Sequence, residues 1–281
     1  HLDATAPTGA NQESMCTPHR PSRPGPRGSG QCGRISWDEA LDLIHAGFSK
    51  AIAQHGPQSV LPFNYAGSHG ELAGGSMDRR FFHQLGASFL SRGPLCGLVR
   101  GAAYASLYGS APGMPPEQLR YSDLIVVWGN NVTVSNLHLM RTINAAKAAN
   151  GAKLVVIDPK RTKVAEQADL HIAIHPGTDV VLALGMVAEL ERRGAHDLAF
   201  VADWVGGYDA YMAEARKVTR DQVFATCRIT PEQFDEFADL YCTRNTIGVS
   251  VGNGIERGAS GGSGIRAAMA LQALVGQHGR Q

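Results

Sequence analysis

Several features are missing from this sequence, and each absence removes a class of protein. No stretch approaches the roughly 18 consecutive apolar residues that a membrane-spanning helix needs, so direct membrane insertion is not expected. Acidic and basic residues nearly cancel, Asp plus Glu 25 against Lys plus Arg 26 for a formal net charge of +1, and no long basic run occurs. Nucleic acid is therefore not an implied partner. Cysteine is sparse and scattered: Cys16, Cys32, Cys96, Cys227 and Cys242, an odd number with no C-x-x-C pair. That pattern argues against a disulfide framework, and against a zinc knuckle or iron–sulfur loop assembled locally. No signal peptide is read. The sequence opens at His1 and stops within a motif at Gln281, so a fragment of a longer polypeptide is expected.

What is present supports a sizeable core. Of 281 residues 43% are hydrophobic and 18% charged, enough for one large or two ordinary domains. Residues 1–33 are rich in Pro, Gly, Ser and Arg and read as an extended or disordered lead. Order is expected from Arg34. Ser36 followed by Glu39 makes a capping box, and Leu41, Ile44, Phe48 and Ile52 recur at helical spacing. Residues 59–63 read as a strand, and the loop after it contains Ser68, where an α/β sheet would bind a ligand or simply connect two elements. Residues 78–85 and 98–108 read as helices. Residues 123–128 read as a buried strand ending in Gly129-Asn130-Asn131, and 136–150 as an amphipathic helix closed by Gly151. Residues 195–225 look helical and peripheral, with Trp204 and Tyr208 as core residues. Thr230-Pro231 opens a helix, residues 246–251 read as a strand, and residues 265–275 as a helix.

The most informative stretch runs from Lys153 to Asp179. A short apolar run, Leu154 to Ile157, ends at Asp158-Pro159, and Thr162 is placed to cap a short helix. A second run, Leu170 to Ile174, leads into Pro176-Gly177-Thr178-Asp179 and a long amphipathic helix. Two strand ends meeting two helix starts form a cradle for anions and nucleotides, in which Asp158 could accept bonds from ribose hydroxyls. The same pattern also occurs in α/β domains that hold no ligand. Farther on, Gly252-Asn253-Gly254 follows a strand and would permit close backbone approach to a pyrophosphate, with Arg257 to pair with it. Cys96 precedes a helix, where the local dipole stabilises a thiolate; a buried small hydrophobe is the alternative reading.

The wording V-I-D-P-K-R-T, A-D, I-H-P-G-T-D resembles the guanosine-binding segment of the molybdopterin oxidoreductases, the dimethyl sulfoxide reductase-like family. R-I-S-W-D-E-A-L, W-G-N-N and the glycine loop at 252–258 are similar to that family as well. The resemblance implies bis(molybdopterin guanine dinucleotide) with Mo or W as cofactor. It implies Cys96, after R-F-F-H-Q-L-G-A-S, as the protein ligand to the metal and Arg100 as a substrate-orienting charge. It assigns cofactor contacts to Ser68, Gly129, Asn130, Asn131, Asp158, Arg161, Thr162, Gly177, Thr178, Asp179, Gly252, Asn253, Gly254 and Arg257. Formate dehydrogenases of the family usually carry His after the ligand; Gly97 stands here, which counts against formate. The family's N-terminal four-cysteine motif is also absent, so a 4Fe-4S cluster would come only from missing regions or a partner subunit.

The implied fold is α/β: two Rossmann-like three-layer domains with largely parallel sheets, residues 34–92 plus 226–281 forming one and residues 93–225 inserted as the other. The implied activity is two-electron redox chemistry on a small-molecule substrate, with an iron–sulfur electron-transfer subunit as partner. Either the cytoplasm or twin-arginine export to the periplasm is compatible. A truncated nucleotide- or partner-binding module without turnover is the alternative from another class, and a plain α/β enzyme with a purine nucleotide cofactor is a third.

Overall fold

The computed structural model describes residues 19–21, 32–63, 77–90, 96–111 and 113–279. The chain forms two compact units, His1–Arg92 and Gly93–Gln281. In the first, β1 (His19–Pro21) pairs antiparallel with β2 (Cys32–Arg34), followed by α1 (Trp37–His55) and α2 (Met77–Leu85). Ser36 Oγ accepts from the Glu39 N–H at 3.1 Å, which fixes the start of α1. The apolar spacing of α1 does not make a covered face, since Leu41 is 58% and Ile44 49% exposed. Residues 59–63 are not a strand either. Pro57–Ser59 forms a 3-10 turn, and Val60 offers its carbonyl to the Ser88 N–H as a single contact instead of a ladder.

The second unit contains α3 (Leu98–Tyr108), β3 (Leu124–Trp128), α4 (Val132–Ser135), α5 (Leu137–Asn150), β4 (Lys153–Ile157) and β5 (Leu170–Ile172). It continues through α6 (Asp179–Arg192), α7 (Leu198–Trp204), α8 (Tyr208–Ala215), α9 (Arg220–Cys227), α10 (Pro231–Thr243), β6 (Ile247–Val251) and α11 (Gly261–Leu274). The four strands form one parallel sheet in the order β5-β4-β3-β6. Runs such as Leu-Ile-Val-Val-Trp suit this position, because a parallel sheet covered by helices is apolar on both faces. Leu124, Val126 and Trp128 pack with α6, α10 and α11, while Ile125 and Val127 pack with Leu139, Ile143 and Ala146 of α5.

Strand β6 is hydrogen-bonded to β3, so residues 226–281 share a sheet and a unit with residues 93–225. This differs from the expected grouping of 226–281 with 34–92; the buried edge of β3 is what recruits β6. Trp204 also departs from expectation. It is 76% exposed, at the end of a seven-residue helix whose buried position is Val201. Tyr208 is partly buried against the core, and its hydroxyl meets His196 Nδ1 at 2.9 Å.

Candidate functional site

In the sheet order, β3, β4 and β5 step one way and β6 lies on the opposite side of β3. The order therefore reverses between β3 and β6, and ligands of open α/β sheets bind at the carboxyl ends of strands beside such a reversal. Most of the residues expected to act fall on loops at this edge. Ser68 lies outside the described residues.

The loops after β3 and β6 are locked together. Gly252 N–H donates to the Trp128 carbonyl at 2.8 Å and Gly254 N–H to that of Gly129 at 3.0 Å. A Cβ on Gly252 would lie 2.1 Å from the Gly129 oxygen, and one on Gly254 2.8 Å from it. These glycines are thus required by loop-on-loop packing, whereas the sequence suggested room for a pyrophosphate. The Gly129 amide is likewise committed, donating to the Ile157 carbonyl at 2.8 Å. Asn130 Nδ2 donates to Ser250 Oγ at 2.9 Å, and Asn131 Oδ1 accepts from Thr133 Oγ1 at 2.7 Å at the start of α4. Asn253 is half-buried and Arg257 exposed.

The loop after β4 is open to solvent on one side. Asp158 is half-buried, and its Oδ1 accepts the Lys160 N–H at 2.8 Å, a turn that holds the carboxylate beyond the strand tip. Arg161 is exposed, and buried Thr162 accepts from the Ala165 N–H at 3.3 Å, although the N-cap position of the 3-10 turn Ala165–Gln167 is Val164 and not Thr162. His171 Nε2 meets the Asp158 carbonyl at 2.9 Å. After β5, Gly177 adopts φ +82° and is exposed, while Thr178 Oγ1 donates to the His175 carbonyl at 2.7 Å instead of capping α6. Ser260 Oγ donates to the Gly177 carbonyl at 3.1 Å, so this loop also touches the one after β6.

Asp179, expected at the cofactor, makes a contact within the protein. It is buried, and Oδ1 accepts from Trp128 Nε1 at 2.8 Å, clasping the tip of β3 to the first turn of α6. Burial raises its pKa, opposed by the Trp128 bond, and the nearby Asp158 charge pushes in the same direction as burial. Buried Cys227 braces the same turn from beneath: its carbonyl accepts the His175 N–H at 2.9 Å, and its Sγ lies 3.6 Å from the Thr178 carbonyl.

Cys96 is half-buried in the turn that leads into α3. The Arg100 guanidinium folds back over that turn; a Cβ on Gly97 would be 3.1 Å from Arg100 Nη2. Arg100 Nη1 reaches the carbonyl of Val251, the last residue of β6, at 3.5 Å, and its backbone N–H donates to Glu256 Oε2 at 2.9 Å. The start of α3 is thereby tied to the same edge as Gly252. Sequence reasoning missed Glu256 and His171, whose roles depend on partners distant in the chain. A separate cavity of about 310 Å³, lined by Tyr104, Tyr108 and Met269, lies beside Ile247 at the opposite end of β6.

Among the described residues no group of three His, Cys, Asp or Glu side chains could hold a metal ion. The chemistry of the site is thus one soft sulfur donor, an adjacent guanidinium, and loops offering a carboxylate, hydroxyls and backbone groups. Such a donor set suits a metal that brings most of its ligands within an organic cofactor.

A family model described as molybdopterin oxidoreductase matches residues 20–281. The probable oxidoreductase YoaE of Bacillus subtilis (strain 168) is 32% identical over 95% of this chain and 39% of its own length. Acetylene hydratase of Syntrophotalea acetylenica is 29% identical over 89% of this chain and 34% of its own. The solved acetylene hydratase from Pelobacter acetylenicus superposes with a TM-score of 0.72 at 28% identity, covering 94% of this chain and 36% of that one. The chain thus spans little more than a third of the length of these relatives. On this match, which takes in β3 to β6 and every residue of the loop edge, the chain belongs to the molybdopterin oxidoreductase family.

Proposed function

We propose that this chain is part of the catalytic subunit of a molybdenum or tungsten enzyme that carries bis(molybdopterin guanine dinucleotide) and performs two-electron redox chemistry on a small substrate. The observation that carries this reading is the convergence of Cys96, through Arg100 and Glu256, with the β3, β5 and β6 loops on one edge of the sheet. When bound, the cofactor supplies the two-electron chemistry.

The protein's own residues hold and orient it. Cys96 gives a thiolate to the metal, and the Arg100 guanidinium beside it draws an anionic or polar substrate toward that point. Asp158 retains acceptor capacity after its bond to Lys160 and takes bonds from a ribose or guanine N–H or O–H. Arg161, Thr178 and the Gly177 backbone face the solvent side of the same cradle and hold phosphate or polar groups. Trp128 and Asp179 do not contact ligand in this scheme; they keep the β3 and α6 ends in register. An iron–sulfur subunit, or a cluster outside this chain, would take up the electrons. One relative is named a hydratase, so cofactor content is the first test and turnover the second.

The test is metal and guanine analysis of the full-length protein. The reading expects about one Mo or W and two releasable guanine nucleotides per chain. Cys96→Ala should lower metal content or turnover by about 100-fold or more. A protein that binds neither metal nor pterin would instead be the nucleotide- or partner-binding module.

A further inference from the structure

Glu256 carries a feature that the scheme above does not use. Its Oε2 accepts the N–H of Arg100, the third residue of α3, and so caps a first turn that has no side-chain cap of its own at Gly97. Its Oε1 is buried without a hydrogen-bond partner, although the whole residue is only 6% exposed. The start of α11 packs closely on its backbone: a Cβ on Gly261 would fall 2.6 Å from Glu256 Cα. Buried carboxylate oxygens are normally bonded, and an unbonded one requires an explanation.

We propose that Glu256 Oε1 accepts a hydrogen bond from the amidine edge of the bound cofactor, the ring N–H beside an exocyclic amino group that pterin and guanine rings share. The inference rests on the cofactor reading above. A carboxylate repels phosphate, so the pyrophosphate arm does not belong here; it welcomes an N–H donor, and a heterocycle edge provides one. Glu256 would then hold the ring with one oxygen and the helix behind Cys96 with the other, coupling the position of the metal ligand to that of the cofactor.

The experiment compares the full-length wild-type protein with Glu256→Gln and Glu256→Ala, reading Mo or W content, pterin fluorescence after oxidation, released GMP, and Tm. Gln can still accept from the Arg100 N–H but presents an amide donor to the ligand; Ala loses both contacts. Cofactor occupancy in Glu256→Gln is expected to fall about 10-fold or more while Tm stays within about 3 °C of wild type. Glu256→Ala should lose occupancy and also melt earlier. Titrating cofactor-free protein with GMP separates the two rings. Weaker binding by Glu256→Gln identifies guanine, and unchanged GMP affinity with lost pterin identifies the pterin. Full occupancy in Glu256→Gln would overturn the proposal and leave Glu256 as a helix cap with a bridging water. Wild-type protein devoid of metal and pterin would overturn the cofactor reading itself, and this inference with it.

Discussion

Trp128 and Asp179 illustrate how single side chains set this edge. The indole of Trp128 ends a strand whose other residues are fully buried, and its N–H would be stranded without the Asp179 carboxylate. Asp179→Ala leaves that donor unpaired and should cost about 1–3 kcal/mol in urea unfolding. Asp179→Asn keeps an acceptor and should cost less. The pH dependence has a defined sign. Asp179 is an acid whose folded pKa is raised, so its contribution is greatest at low pH and declines as pH rises from its unfolded value through the folded one. The Asn variant should flatten this slope in the acid range; an unchanged slope would show that the carboxylate does not titrate in the way its burial implies. At Gly97, the space a side chain would fill belongs to the Arg100 guanidinium. Gly97→His should displace Arg100 and raise KM for an anionic substrate more than it lowers kcat.

At the scale of elements, much of the second unit was legible. Short apolar runs, Leu124–Trp128 and Leu154–Ile157, marked β3 and β4 because strands covered on both faces need no polar alternation. Thr230 with Pro231 gave the start of α10, where a full capping box forms with Gln233. Residues 59–63 misled because apolar content alone cannot supply a ladder partner. In the Gly252–Gly254 loop a glycine marks close approach, and in the structure the approaching group is the Gly129 carbonyl. Glu256 escaped because its partner is 156 residues away.

Helix pairing in the same unit makes a further prediction. Buried Glu189 on α6 receives Arg192 and Arg193, and Arg220 of α9 lies 3.2 Å away. Burial pushes its carboxyl up, but the bonds from Arg192 and Arg193 more than reverse this and hold it at about 2. With a lowered folded pKa, its stabilisation is present above the unfolded value near 4.5 and is lost as pH falls toward 2. Glu189→Gln should lose about 2 kcal/mol at neutral pH and soften the acid limb of the stability curve. A variant as acid-sensitive as wild type would contradict this role.

For the whole molecule, the family was legible from one long segment, whereas the partition of the chain was not. The expected grouping placed residues 226–281 with the first unit, yet β6 completes the sheet of the second. Strand pairing between segments separated by a hundred residues leaves no local mark in sequence, while a nucleotide-binding segment does. The consequence is functional. Because β6 lies next to β3, the glycine loop, the asparagine loop and the helix after Cys96 meet at one reversal of strand order. Cofactor loading should therefore protect these loops together. Hydrogen exchange at residues 129–131, 158–162, 175–178 and 252–257 is expected to slow in concert in the loaded protein, and independent behaviour would argue for separate sites.

The central claim is that Cys96 is the protein's ligand to a metal held by this ring of loops. X-ray absorption at the metal edge of the full-length protein tests it most directly, comparing wild type with Cys96→Ser. The account predicts that the variant loses one sulfur scatterer and gains an oxygen or nitrogen in its place; identical spectra at full metal content would contradict it.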